Sequence, residues 1–158
     1  MKRKNFEDLD LIDNFLMNAI ASDPDVEVTE YKDSTIANVY DIEPHTTRET
    51  DIPRALRFRQ ARIDSRHMKS GDNDFSHLPN LYVIMITNFD MLGQDYMMYT
   101  FDHKCEELPN IDYDDGLKII YFNTRGKKGG SNAIKNMLHY LLSVIRPTIQ
   151  LFLQKHIP

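Results

Sequence analysis

Hydrophobic and polar residues alternate along two neighbouring stretches of this chain. The stretches cover residues 25–31 and 39–45, and the four residues between them, 32–35, are of types that favour turns. Alternation with a period of two is the pattern of a half-buried strand. The sequence therefore predicts a β-hairpin with one apolar face for the core and one acidic face available for chemistry.

Apolar residues recur at helical spacing in three other stretches. A short amphipathic helix is predicted over residues 9–21, and a longer one over 53–70, with proline in its first turn and Gly71 after its end. A third helix is predicted over residues 131–144, capped by its first serine. The apolar segment 149–153 is either a last short element or a tail.

Three stretches of strand length lie between the second and third helices. Residues 81–87 form a continuous apolar run, which is typical of a strand buried on both faces inside a sheet. Residues 96–101 and 117–122 are also predicted to be strands. The order of elements is helix, hairpin, helix, three strands and helix, which indicates an α/β fold.

Composition limits the class of protein. A chain of 158 residues with 41% hydrophobic and 27% charged residues is typical of one soluble globular domain, so residues 1–158 are treated as a single domain. No signal peptide or membrane span is predicted. Cys105 is the only cysteine, which fits the reducing conditions of the cytoplasm. The net charge of −5 argues against a basic coat over the whole surface.

The predicted second helix nevertheless carries one-sided charge. Six of the nineteen lysines and arginines fall within residues 54–69, and only Asp64 opposes them there. Leu56 and Ile63 supply its buried side, with Phe58 and Ala61 as further candidates. Two interpretations stay open, an ordinary solvated face and a face that meets phosphates. Its arginines are Arg54, Arg57, Arg59, Arg62 and Arg66.

The acidic face of the hairpin is the second candidate for chemistry. Alternation puts Asp25 and Glu27 on one face of the first strand, and Asp41, Glu43 and His45 on one face of the second. Clustered carboxylates often serve a cation or proton transfer, and their oxygen atoms suit Mg²⁺ or Mn²⁺. A simply solvated acidic face is the alternative.

The basic loop 125–131 is rich in glycine and lysine. It lacks the spacing of a nucleotide-binding phosphate loop, in which Gly-Lys is followed at once by serine or threonine. A flexible loop that precedes the last helix is the better interpretation, and contact with a DNA backbone is an option.

Several motifs between residues 25 and 140 occur in the order found in one known family. They are Val39–His45 (VYDIEPH), Pro53–Arg54, Phe58–Gln60 (FRQ), Leu81–Asp90 (LYVIMITNFD), Tyr99–Phe101, Asp115–Gly116 and Tyr121–Gly126 (YFNTRG). On these motifs the chain resembles the PD-(D/E)XK nuclease family transposases, also called the Rpn recombination-promoting nucleases.

The resemblance implies a restriction-endonuclease-like α/β core, with a mixed central sheet that begins with the hairpin and is flanked by helices. It also implies cleavage of DNA with Mg²⁺, or Mn²⁺ in its place, held by Asp25 and Glu43. His45 stands where the family motif has lysine, so it offers charge only when protonated. Gln60 lies on the helix that packs beside the site. The arginines of that helix are expected to contact DNA phosphates.

Two departures from the family pattern keep an alternative open. Residues 21–24 join the opening helix directly to Asp25, where family members usually have another helix, and residues 143–158 diverge from the family. The alternative is a shortened, decayed member that binds DNA without cutting it. A third hypothesis is a protein-interaction module that docks through its apolar tail. The oligomeric state is left open, with a homodimer among the options.

Overall fold

The computed structural model describes the backbone of residues 26–32, 35–45 and 51–143, and the side chains of residues 38–42 and 51–143. Within these ranges the chain forms a mixed α/β fold with one sheet. The elements in chain order are β1 (Val26–Lys32), β2 (Thr35–His45), α1 (Ile52–His67), a short 3-10 helix (Phe75–His77), β3 (Asn80–Thr87), β4 (Met98–Phe101), β5 (Leu117–Asn123) and α2, which is helical over residues 132–143.

Five strands form the sheet in this part of the chain, in the order β1-β2-β3-β5-β4. The central strands β2, β3 and β5 are parallel, while β1 pairs antiparallel with β2 and β4 antiparallel with β5. The mixed sheet beginning with an antiparallel pair agrees with the sequence prediction. The second strand starts earlier than predicted, because Thr35 already pairs with Lys32.

Helix α1 covers one face of the sheet. Its apolar side chains Ile52, Leu56 and Ile63 are buried in one cluster with strand residues such as Val39 and Val83. The helix ends at His67, three residues earlier than predicted, and the chain then turns through Gly71 at a φ of 86°. A positive φ is a conformation that glycine adopts without steric cost.

Helix α2 covers the opposite face. Ile134, Met137, Leu138 and Leu141 are buried there against alternate residues of β2, β3 and β5. As predicted, the hydroxyl of Ser131 caps the helix, accepting a hydrogen bond from the backbone N–H of Ile134 at 3.3 Å. The sheet is therefore enclosed between two helices, and its core lies in two layers.

Strand β3 occupies the centre of the sheet and is buried from Leu81 to Thr87, as the continuous apolar run predicted. Strand β4 is shorter than predicted and begins at Met98. Tyr96 lies outside the strand and instead forms an isolated bridge with Lys128. Among residues 26–32, 35–45 and 51–143, no helix has the length and hydropathy needed to cross a lipid bilayer.

The predicted helix over residues 9–21, the segment 149–153 and the departures noted at residues 21–24 lie outside the described residues. Residues 144–158 of the divergent region also lie outside the described residues. Those predictions stay predictions.

Candidate nucleic-acid interface and cleavage site

The three parallel strands end side by side. His45 of β2 is in register with Thr87 of β3, which is in register with Asn123 of β5. We call this border of the sheet the carboxyl edge. Helix α1 connects the end of β2 to the start of the parallel strand β3, so its chain must run back from the carboxyl edge to the opposite one. In open α/β sheets, ligands generally bind beyond the carboxyl ends of the strands.

The predicted metal ligands lie partly outside the described residues. Asp25 is outside them altogether. Glu43 and His45 belong to β2, where their Cα atoms pair with those of Met85 and Thr87, and their side chains are outside the described residues. The backbone therefore puts Glu43 two residues before the carboxyl edge and His45 at it. Convergence of their side chains with Asp25 on one cation stays a prediction.

Asp41 lies two residues before Glu43 on the same strand and is only 4% exposed. Arg59 reaches it from α1 with two hydrogen bonds, one from Nε to Oδ2 at 2.6 Å and one from Nη2 to Oδ1 at 3.1 Å. Such a two-point contact between a guanidinium and a carboxylate is strong and directional. It compensates the buried charge of Asp41 and attaches α1 to β2.

From sequence, Arg59 is one of five arginines expected to contact DNA, and its pair with Asp41 is not among the predictions. The signal was present in the helical spacing. Arg59 follows Leu56 by three residues and precedes Ile63 by four, so it belongs to the buried side of α1. Its side chain is accordingly 24% exposed. Its contact with DNA stays a prediction, although the described geometry directs its guanidinium to the strand.

The remaining circumference of α1 faces water. Arg54, Arg57, Arg62 and Arg66 are all exposed, and so is Phe58. Phe58 and Ala61 were further candidates for the buried side of the helix, and this was wrong, because both lie a third of a turn or more from the stripe of Ile52, Leu56 and Ile63. We call the surface formed by Arg54, Arg57, Phe58, Arg62 and Arg66 the arginine face.

Charge on the arginine face is compensated only in part. Arg54 donates to Asp51 at 2.6 Å, although both side chains are largely in water. Arg57 and Arg62 have no hydrogen-bonded or ion-paired side chain among the described residues. Since exposed helices usually mix charges to gain pairs one turn apart, this face is unusual. It offers several positive charges to an anionic partner.

Gln60 lies between the two sides of α1 and donates a long hydrogen bond of 3.4 Å to Asp64 one turn further on. Burial raises the pKa of the Asp64 carboxyl, and the hydrogen bond from Gln60 and the nearby His67 oppose that rise. Gln60 thus has a partner within its own helix. Its predicted place beside the metal site stays a prediction.

A second basic segment lies at the carboxyl edge, directly after β5. The backbone N–H groups of Lys127 and Lys128 both donate to the carbonyl of Asp95, at 3.0 and 2.8 Å. Gly126 allows this close approach, because a Cβ there would lie 2.4 Å from the carbonyl oxygen of Tyr96. The side chains of Arg125, Lys127 and Lys128 are exposed on this loop. The loop is therefore held by these backbone bonds and by the Lys128 ammonium, which donates to the carbonyl of Gln94 at 3.2 Å, while the side chains of Arg125 and Lys127 face water.

The loop after β3 is held by Asp90. Its carboxylate accepts hydrogen bonds from the backbone N–H of Asp95 at 2.6 Å and from the hydroxyl of Tyr99 at 2.9 Å. Burial opposes ionisation of Asp90, but hydrogen bonds from Asp95, Tyr99, Leu92 and Gly93 outweigh it and lower the pKa of the carboxyl. From sequence this segment is predicted only to be a turn, and the hydrogen-bond network around Asp90 is not among the predictions. The Asp90 carboxylate also accepts a hydrogen bond from the backbone N–H of Leu92, two residues later, which makes this segment an Asx turn. Aspartate favours such turns, so its presence at position 90 was the signal available in the sequence.

No group of three or more histidine, cysteine, aspartate or glutamate side chains that could hold a metal ion occurs in the described part of the chain. Comparison of the sequence and structure with protein-family models, curated proteins and solved structures finds no match.

Proposed function

We propose that this protein is a metal-dependent DNA endonuclease with a restriction-endonuclease-like core, similar to the PD-(D/E)XK transposases that its motifs resemble. The observation that carries the proposal is the arginine face of α1, the helix that packs over β2 and its acids. A mixed sheet that begins with an antiparallel pair also supports this core.

The arginine face supports DNA as the partner despite the net charge of −5. Contacts to phosphates need only a local concentration of positive charge, and they are independent of base sequence. The topology brings the first turn of α1, with Arg54, to the carboxyl edge, which the basic loop 125–128 also borders. A DNA backbone lying along this edge would meet cations from both segments and would pass the end of β2.

The proposed donor set fits a magnesium ion in its chemistry. Asp25 and Glu43 would supply carboxylate oxygens, and Mg²⁺ commonly takes one or two carboxylates, with water and substrate phosphates completing its shell. Asp41 would not join them, because Arg59 already engages both of its carboxylate oxygens. When bound, the ion would supply charge neutralisation at the phosphate and activation of water.

The remaining residues have distinct roles in this proposal. Arg54 and Arg57, in the first turns of α1, bind phosphates near the scissile bond, and Arg62, about 12 Å further along the helix than Arg54, binds a phosphate more distant from it. His45, at the carboxyl edge, orients a water or holds a proton near the phosphate. The pair of Arg59 and Asp41 keeps α1 and β2 in fixed relation, so that the arginine face and the acids of β2 act on the same stretch of DNA.

A plasmid-nicking assay over a series of divalent metals tests the proposal. The wild-type protein is expected to relax supercoiled plasmid in Mg²⁺ or Mn²⁺ and to do nothing in excess chelator. Glu43→Gln and Asp25→Asn should each lose cleavage by about 100-fold or more, since a metal ligand supplies several kcal/mol of transition-state stabilisation. Both variants should still bind DNA through the arginine face.

Glu106→Gln is the matched control, because it makes the same chemical change at an exposed position in the loop between β4 and β5. It should cleave like the wild type. Cleavage that survives Glu43→Gln would contradict the proposal. Salt-sensitive DNA binding with no cleavage in any metal would instead identify the alternative, a family member that binds DNA without cutting it.

A further inference from the structure

Phe58 is a large apolar side chain in an unusual place. It is 67% exposed at the middle of the arginine face, and none of the ring contacts among the described residues involves it. A single exposed aromatic residue is ordinary on a protein surface. An exposed aromatic residue among arginines is different, because the arginines restrict the partners of this surface to molecules that carry negative charge.

The neighbours of Phe58 follow from helical geometry. Arg54 precedes it by four residues and Arg62 follows it by four, so each lies about one turn away, or roughly 6 Å along the axis, on the same side of α1. Arg57 adjoins it in sequence and is also exposed. Phe58 is therefore flanked by an arginine in each direction along the helix, and the exposed ion pair of Arg54 with Asp51 leaves that arginine accessible to a phosphate.

An occupant of this surface needs a flat apolar face for the ring and negative charge on both sides of it. A second copy of the same face would bring arginines against arginines and would be repelled. Duplex DNA offers the charges, but its base faces are stacked inside. A single strand offers both, because its bases present free π-faces between successive phosphates.

We infer that the arginine face binds single-stranded DNA, with Phe58 stacking on an unpaired base and Arg54 and Arg62 contacting the phosphates on either side. The inference rests on the proposed function and deepens it by naming the substrate class. DNA with an unpaired segment would then bind more tightly than fully paired DNA of the same length.

The chain contains no tryptophan, so a single substitution creates a specific reporter. In Phe58→Trp the indole fluorescence should be quenched on titration with oligo-dT, since stacking on a base quenches indole. Phe75→Trp is the matched control, because Phe75 is 66% exposed but lies in the 3-10 helix beside Asp74. Its fluorescence should stay unchanged under the same titration.

Binding affinity gives the second measurement, by fluorescence anisotropy of a labelled strand and of the matched duplex. Phe58→Ala should weaken binding to the single strand roughly tenfold or more, which is the usual effect of losing one stacking side chain, and should leave duplex binding unchanged. Phe58→Leu should behave like Phe58→Ala, because leucine retains apolar bulk without a π-face. Since the side chain is exposed, these variants are expected to fold normally.

Three outcomes would overturn the inference. One is oligo-dT binding without quenching in Phe58→Trp, and another is an equal loss of single-strand and duplex affinity in Phe58→Ala. The third is a change of the indole fluorescence of Phe58→Trp with protein concentration alone, which would mean that a second copy covers the face. If nicking depends on metal but is unchanged by substitution of Phe58, the inference fails and the proposed function stands. If Phe58 stacks on a base but the protein nicks DNA in no metal, the inference stands and the proposed nuclease function fails.

Discussion

Arg59 and Asp41 form the ion pair on which the candidate site most directly depends. A carboxylate that is 4% exposed has lost most of its hydration, so its burial is costly unless a charged partner and hydrogen bonds replace the water. Arg59 provides both, and it comes from the helix that carries the arginine face. The acids of β2 and the cations of α1 are thus linked through one buried contact.

Removing Arg59 should therefore be costly. Arg59→Ala leaves the Asp41 charge buried without its main partner, and we expect a loss of about 3 kcal/mol in the free energy of unfolding. Urea denaturation at neutral pH measures it. Arg57→Ala, on the exposed side of the same helix, should change stability by less than about 0.5 kcal/mol. Equal effects of the two substitutions would mean that the pair contributes little.

Asp90 gives the protein a dependence on pH. Its pKa is lowered from 3.8 in the folded state, so its contribution to stability is full above that value and is lost as the pH falls through the folded-state pKa. Asp90→Asn should lower the Tm by a few degrees at neutral pH, because hydrogen bonds to a charged acceptor are lost.

The difference in Tm between wild type and Asp90→Asn should begin to shrink as the pH drops below 3.8 and should vanish as the pH passes through the lower folded-state pKa, where the carboxylate of the folded protein becomes protonated. Thermal unfolding followed by circular dichroism over a pH series measures it. Asp112→Asn, an exposed acid in the loop between β4 and β5, is the control and should leave the Tm unchanged. A difference that stays constant down to low pH would contradict the role assigned to Asp90.

At the scale of elements, the contact between the loops that flank β4 and β5 depends on Gly126. A methyl group there would lie 2.4 Å from the carbonyl oxygen and 2.5 Å from the carbonyl carbon of Tyr96. Both atoms belong to backbone, so neither can turn aside as a side chain could. Gly126→Ala should force the two loops apart at a cost of about 1–3 kcal/mol.

Hydrogen exchange of the Met97 amide is the most direct readout, since that N–H donates to the carbonyl of Lys128 across the two loops. It should exchange faster in Gly126→Ala. Gly71→Asn is the control, because the site has open space and asparagine tolerates its positive φ. Unchanged protection of Met97 would show that the loops do not depend on this close approach.

The elements themselves were largely predictable from sequence, because their periodic signals are strong. The bounds of α1, β3 and β5 agree with prediction to within a few residues. Strand β4 was predicted two residues too long, since the apolar pattern continues through Tyr96 and Met97 while their backbone groups pair with another loop. Propensity cannot foresee such competition between partners distant in sequence.

The candidate site was predictable only in part, because it too depends on contacts between residues distant in sequence. The excess of arginine on α1 is visible in the sequence, but which arginine turns inward depends on the phase of the helix against the sheet. Arg59 and Phe58 are adjacent, yet the charged side chain turns toward the sheet and is 24% exposed, whereas the apolar one is 67% exposed. The predicted ligands Asp25, Glu43 and His45 remain a prediction from resemblance.

At the scale of the molecule, the two core layers on either side of the sheet should contribute independently. Ile63 packs in the layer under α1 and Ile134 in the layer under α2, and no described cluster contains both. We expect Ile63→Val and Ile134→Val each to cost about 1 kcal/mol. The double variant should lose their sum to within about 0.5 kcal/mol, measured by chemical denaturation. A clear departure from additivity would mean that the sheet transmits strain between its faces.

The α/β class and the buried position of β3 followed from sequence, because burial of apolar faces leaves few ways to arrange the elements. The net charge of −5 does not indicate the proposed partner, since it averages an arginine-rich helix with an acid-rich loop between β4 and β5. For this molecule the distribution of charge over elements is more informative than its total.

The position of β3 has one more consequence. Its seven residues from Leu81 to Thr87 carry no charge and no proline, and such a peptide has the composition of segments that assemble into cross-β fibrils. In the folded protein it is flanked on both sides by other strands, and the borders of the sheet are formed by β1 and β4. Local unfolding of β1 or β4 alone would leave residues 81–87 covered by β2 and β5. Self-association should therefore begin only when the protein unfolds completely, which makes the two outer strands its safeguard against amyloid.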